Sequence, residues 1–122
     1  MAKNIMVVDD SASLRQVVSI ALKSAGYDVV EACDGKEALT KLGGQKVHLI
    51  ISDVNMPVMD GIELVKQVKQ HPQYRFTPII MLTTESAEDK KVQGQAAGAK
   101  AWVVKPFRPE QMLQAVSKLV LP

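Results

Sequence analysis

Short apolar runs alternate along this chain with stretches whose apolar residues recur at helical intervals. The first run, residues 5–8, is Ile-Met-Val-Val and stops at Asp9. Leu14, Val17, Val18, Ala21, Leu22 and Ala25 then keep the i, i+3, i+4, i+7 spacing of one helix face. Gly26 suits the left-handed residue that closes such a helix. Residues 27–32 read as a second strand. Asp34 is a candidate N-cap for a helix through Ala38, Leu39 and Leu42 that ends at Gly43-Gly44. A third strand, 47–52, stops at Asp53. A long turn over 55–61 leads to the helix marked by Ile62, Val65 and Val68 and ended by His71-Pro72. A fourth strand, 79–82, ends at Thr83. Ser86 and Asp89 resemble a capping box at the start of a fourth helix. The fifth strand, 101–104, ends at Lys105-Pro106, and Pro109 suits the first turn of a last helix bearing Met112, Val116, Leu119 and Val120.

Five strand–helix pairs in strict alternation predict an α/β fold, a doubly wound five-stranded parallel sheet with five helices. The near-continuous apolar strands fit a sheet covered on both faces. At 122 residues the chain reads as one domain, 1–122, with no linker or repeat. Aromatic residues make up only 4%, so aliphatic side chains must fill the core. A net charge of +2, with the Lys and Arg residues scattered, argues against direct nucleic-acid binding. Cys33 is the only cysteine, which excludes an internal disulfide, gives no sign of a metal site built on thiolates and fits a reducing cytoplasm. No apolar stretch approaches the ~18 residues of a membrane span.

In open parallel sheets, ligands bind beyond the carboxyl ends of the strands. The residues standing there are Asp9 and Asp10, Asp53, Thr83 and Lys105. Three carboxylates in one crevice repel one another, and a hard divalent cation such as Mg²⁺ is the natural compensation. One carboxylate is then left as a nucleophile of the aspartyl-phosphate kind. Lys105 would pair with phosphoryl oxygens, and the Thr83 hydroxyl would donate to one. Any one of these residues alone is more often a helix start or a turn residue; in register at the ends of the inner strands, together, they point to phosphoryl chemistry centred on Asp53.

The segments Val8-Asp9-Asp10, Asp53 to Gly61 (DVNMPVMDG), Pro78 to Thr83 (PIIMLT) and Lys105-Pro106-Phe107 resemble the signature of response-regulator receiver domains of two-component signalling. The resemblance covers essentially the whole chain and is nearest to the single-domain chemotaxis type. It implies a flavodoxin-like strand order of 2-1-3-4-5. It further implies that a sensor histidine kinase passes a phosphoryl group to Asp53. Asp10 and Asp53 would bind one Mg²⁺ through side chains, the main-chain carbonyl of Asn55 would be a third ligand, and Asp9 would act through a metal-bound water. Asn55 and Glu85 fall where family members tune phosphoryl lifetime. Thr83 and an aromatic residue on the fifth strand would form the switch. The matching position is Trp102, bulkier than the family's usual Tyr, Phe or His, so simple packing at the core's edge stands beside the switch role.

The resemblance thus implies a monomeric cytoplasmic switch. Its fourth helix, carrying Lys90, Lys91 and the helix-weakening Gly94, would form an output face with the fifth strand and last helix. Its target would be a protein such as the flagellar motor switch, with a phosphatase as a further partner. It would be no enzyme beyond its own phosphorylation and dephosphorylation. The end of the chain at Pro122 favours a stand-alone domain. The alternatives are a phosphorelay intermediate or phosphate sink, and the receiver fragment of a longer DNA-binding regulator. A phosphohydrolase with Asp9 as nucleophile is disfavoured because its second acid would stand two residues on. A flavin site is disfavoured because the acidic loop would repel the flavin phosphate. His48 and His71 read as element-end residues, and Met56 and Met59 as packing.

Overall fold

The computed structural model describes residues 3–54, 56, 58–83, 97–104 and 108–120. Five parallel strands form one sheet: β1 (Asn4–Val8), β2 (Asp28–Ala32), β3 (Leu49–Asp53), β4 (Ile79–Thr83) and β5 (Ala101–Val104). Their order is β2-β1-β3-β4-β5, as expected. Four helices are described: α1 (Ala12–Ser24), α2 (Gly35–Leu42), α3 (Gly61–Gln70) and the last helix, here α4 (Pro109–Leu119). The helix expected to begin near Ser86 lies outside the described residues.

Strand residues alternate between two cores. Met6, Val8, Ile50, Ile79 and Met81 face the layer that contains Leu42 of α2 and Leu64, Val65 and Val68 of α3. Ile5, Val7, Leu49, Ile51, Ile80 and Leu82 face the layer of Val18 and Leu22 from α1 and Met112 and Val116 from α4. Burial on both faces explains why these strands lack a polar face. Tyr74 is the one aromatic residue deep in the described core. Its hydroxyl lies 2.5 Å from the Leu42 carbonyl and 2.6 Å from that of Gln45, so it closes the carboxyl end of α2.

Caps set the helix starts. Side chains of Ser11, Asp34 and Asp60 accept from the amides of Leu14, Glu37 and Glu63 and begin α1, α2 and α3. Pro109 occupies the first turn of α4, while the Arg108 amide donates to the Gln111 side chain. Gly26 and Gly44, with φ of 96° and 87°, take the left-handed positions after α1 and α2. On α1 the expected stripe is shifted. Val17 is 52% and Ile20 57% exposed, whereas Ser19 is buried. Strand β3 starts at Leu49, two residues after the expected 47, because its first ladder partner is Ile5 of β1.

Candidate functional site

Parallel strands in this register bring their carboxyl ends to one rim. Val8 pairs with Ser52, Asp53 with Leu82, and Thr83 with Val104. Asp9 follows β1 directly and Asp53 ends the neighbouring β3. One carboxylate oxygen from each of Asp9, Asp10 and Asp53 lies within 4.8 Å of the others. Asp9 and Asp53 are buried, at 1% and 7% exposure, and Asp10 opens to solvent.

Local bonds explain how each acid is held. The Asp9 amide donates to the Ala32 carbonyl at the end of β2. One Asp9 carboxylate oxygen accepts from the Ser11 amide at 2.9 Å, turning the chain into α1. The Val54 amide donates to the Asp53 carboxylate at 3.0 Å. Asp53 is pinned from behind by Gly61: a Cβ there would run into the Asp53 carbonyl oxygen, so only glycine lets α3 start this close to β3. The Gly61 amide donates to the Val54 carbonyl at 2.8 Å and closes the loop. Met59 covers this loop by packing over Gly35 of α2, and Met56 also packs against the core, as expected of both methionines.

At an effective dielectric of about 20, two ionised carboxylates within 4.8 Å of each other repel by roughly 3 kcal/mol or more. Folding therefore gathers negative charge that a cation would offset. The donor set is all oxygen, two donors buried and one facing water, which fits a hard divalent cation that keeps part of its water shell.

A profile of the response regulator receiver domain matches residues 5–117. The chain belongs to the response regulator receiver domain family. This receiver domain is 42% identical over 120 residues to the alkaline phosphatase synthesis transcriptional regulatory protein PhoP of Bacillus subtilis, covering 98% of this chain and 49% of PhoP. It spans the same 49% of the phosphate regulon transcriptional regulatory protein PhoB of Pseudomonas aeruginosa, at 37% identity. Chemotaxis protein CheY1 of Helicobacter pylori is 40% identical, with 96% of this chain and 95% of CheY1 aligned. Among solved structures, chemotaxis protein CheY4 of Vibrio cholerae superposes with a TM-score of 0.93 at 51% identity, covering 98% of this chain and 99% of CheY4.

Of the sequence-predicted site residues, the structure of this receiver domain brings Asp9, Asp10 and Asp53 together. The backbone of Thr83 ends β4 on the same rim, next to Val104. Asn55, Lys105 and the Thr83 side chain lie outside the described residues, as do Glu85, Lys90, Lys91 and Gly94. Trp102 is half-buried, pairs in register with Met81 and packs against the core layer of α2 and α3. It also lines a groove of about 690 Å³ between β5 and α4, with Lys100, Val104, Gln111, Ala115 and Lys118. His48 precedes β3 and His71 caps α3, both away from the rim. No described helix is long and apolar enough to cross a membrane.

Two contributors were not anticipated. Gly61 closes the DVNMPVMDG segment, but its close approach to the Asp53 carbonyl was not anticipated. Arg15 carries no motif signal, because its role is a contact to a main-chain carbonyl: its guanidinium donates to the Asp9 carbonyl at 2.6 Å. Cys33 is exposed, and its thiol is pushed above the ordinary range by desolvation, then by Glu37 and Asp34, so it is no ready nucleophile.

Proposed function

We propose that this receiver domain is a phosphoacceptor switch in which Asp53 takes a phosphoryl group from the phosphohistidine of a sensor histidine kinase. The observation that carries this is the gathering of three carboxylates within 4.8 Å on the rim of the inner strands. An Asp53 carboxylate oxygen bonds to phosphorus as the phosphorus–nitrogen bond of the donor breaks, and the imidazole leaves with a proton from solvent. Water later attacks phosphorus and returns Asp53 and inorganic phosphate. Asp10 and Asp53, with the Asn55 carbonyl, would hold one Mg²⁺, and Asp9 would act through its water. When bound, the ion supplies charge neutralisation for the carboxylates and phosphoryl oxygens. Thr83 and Lys105 would hold those oxygens. The domain turns over no other substrate.

The output is a protein contact, read at the face around Trp102, β5 and α4. The half-buried Trp102 beside an open groove supports that placement. Alignment over 95% of the chemotaxis protein CheY1 supports a chemotaxis role; on this reading the domain would act as a cytoplasmic monomer, with the flagellar motor switch as target and a phosphatase as further partner. A second reading has its own support. Two relatives are named transcriptional regulatory proteins, and this chain spans 49% of each, which favours the receiver part of a longer regulator.

Intact mass after treatment with acetyl phosphate and Mg²⁺ should show one phosphoryl addition, lost with EDTA and absent in Asp53→Ala. Persistence of the adduct in that variant would remove Asp53 as acceptor. A pull-down with and without beryllium trifluoride, a phosphoryl mimic, then separates the two outputs: a motor component in one case, the transcription machinery in the other.

A further inference from the structure

We propose that Arg15 is a positioning residue for the cation site, acting through the Asp9–Asp10 peptide, and that Glu31 cancels its charge there. The proposal rests on the metal reading above. Arg15 lies one turn into α1, and its side chain is 19% exposed. Its Nη1 donates to the Asp9 carbonyl at 2.6 Å, while its Nε donates to a Glu31 carboxylate oxygen at 3.1 Å. Glu31 stands on the edge strand β2, paired in register with Val7. The Glu31 carbonyl accepts from Lys41 of α2 at 2.6 Å, which fixes that end of the strand.

The consequence falls on Asp10. Asp9 is bonded at its amide, its carbonyl and its carboxylate, to Ala32, Arg15 and Ser11. The carbonyl of Asp9 and the amide of Asp10 share one rigid peptide plane, so a bond that fixes the carbonyl also fixes the direction in which the Asp10 chain leaves. Asp10 is exposed, yet its carboxylate falls within 4.8 Å of the other two. An exposed carboxylate held on target needs a held backbone, and the Arg15 guanidinium holds this one from the side of α1.

A bare guanidinium beside a cation site would work against itself, because like charges repel. Its partner Glu31 removes that conflict. The pair delivers hydrogen-bond donors without net positive charge, as outer-shell partners do when they orient ligands of a metal.

Two effects of removing Arg15 have opposite signs, which makes the test decisive. If Arg15 mattered only as a positive charge, Arg15→Gln would tighten cation binding. Positioning demands that it weaken. The measurement is a calorimetric Mg²⁺ titration of the parent chain, Arg15→Gln and Glu31→Gln, with thermal unfolding in EDTA as a folding control. We expect roughly a 10-fold weaker Mg²⁺ affinity for Arg15→Gln. Glu31→Gln, which leaves the guanidinium uncompensated, should weaken binding most at low salt and recover toward the parent value at high salt. Acetyl phosphate uptake by Arg15→Gln should need more Mg²⁺ for half-saturation but reach the parent plateau. Unchanged or tighter Mg²⁺ binding in a folded Arg15→Gln chain would overturn the proposal. Should Arg15→Gln fail the folding control, Arg15→Lys takes its place. It keeps the charge but loses the planar fork that serves Asp9 and Glu31 at once. Weaker Mg²⁺ binding by Arg15→Lys then supports positioning, and binding equal to the parent's overturns it. A parent chain with no Mg²⁺ response would instead sink the metal reading itself.

Discussion

Val58 shows what one residue in the loop between β3 and α3 costs. Its φ is 70°, left-handed, and its side chain is 78% exposed. A β-branched residue there sets Cβ against the following carbonyl, at roughly 1–2 kcal/mol, with no burial in return. Asn tolerates this backbone far better because its short polar side chain bonds locally. Val58→Asn should therefore stabilise the domain by about 1 kcal/mol, read as a rise in Tm of roughly 4 °C. A fall in Tm would mean that Val58 makes an apolar contact worth more than the strain. Around this loop, residues differ in how openly the sequence displays them. Asp53 was legible because it ends an apolar strand. Gly61 and Arg15 were not, since each acts on a main-chain carbonyl, of Asp53 or Asp9, and no residue spacing encodes that.

Elements were legible where burial dictated them. The inner strands β1, β3 and β4 are buried on both faces, so they read as apolar runs, while the edge strand β2 carries Asp28 and Glu31; the carboxyl ends of the parallel strands fall on one rim whatever the details of packing. Helix α1 was less so. Its sequence offers a stripe wide enough to place Val17 or Ser19 inside, and the fold buries Ser19 and leaves Val17 exposed. The end of α2 is another case that periodicity could not reach. Leu42 and Gln45 present carbonyls that Tyr74, from the segment after α3, reaches across the fold. A hydroxyl carries one hydrogen, so it donates to one carbonyl at a time. Tyr74→Phe leaves both acceptors beside a ring and should cost about 1–3 kcal/mol. Urea unfolding should show a lower midpoint with an unchanged slope. A loss below about 0.5 kcal/mol would mean that water replaces the hydroxyl there.

For the whole molecule, charge placement ties stability to solution conditions. His48 sits half-buried at the amino ends of the strands, where its Nδ1 accepts from the Asn4 amide at 3.0 Å. Desolvation first, then Lys3 and Lys46, hold its pKa below the ordinary value. The unfolded chain takes up this proton near pH 6.5 and the folded one only at lower pH, so this contribution is complete above about pH 6.5 and lost as pH falls through the folded value. His48→Asn, which retains an acceptor, should flatten Tm between about pH 7.5 and 5.5, the window around the unfolded value; a slope equal to the parent's would assign the effect to other groups. At the opposite rim, folding itself collects Asp9, Asp10 and Asp53, a repulsion the unfolded chain does not suffer. A cation bound only by the folded form stabilises it by about 2.7 kcal/mol at one hundred times Kd. Tm should therefore rise by roughly 10 °C with saturating Mg²⁺ and fall back with EDTA. Asp53→Asn separates the two sides of this balance. It removes one charge from the cluster, so in EDTA it should melt above the parent chain, while its Mg²⁺-dependent gain should shrink. The two Tm curves then cross as Mg²⁺ rises. If Asp53→Asn melts no higher than the parent in EDTA, the three acids do not strain the fold, and a cation is not what their gathering requires.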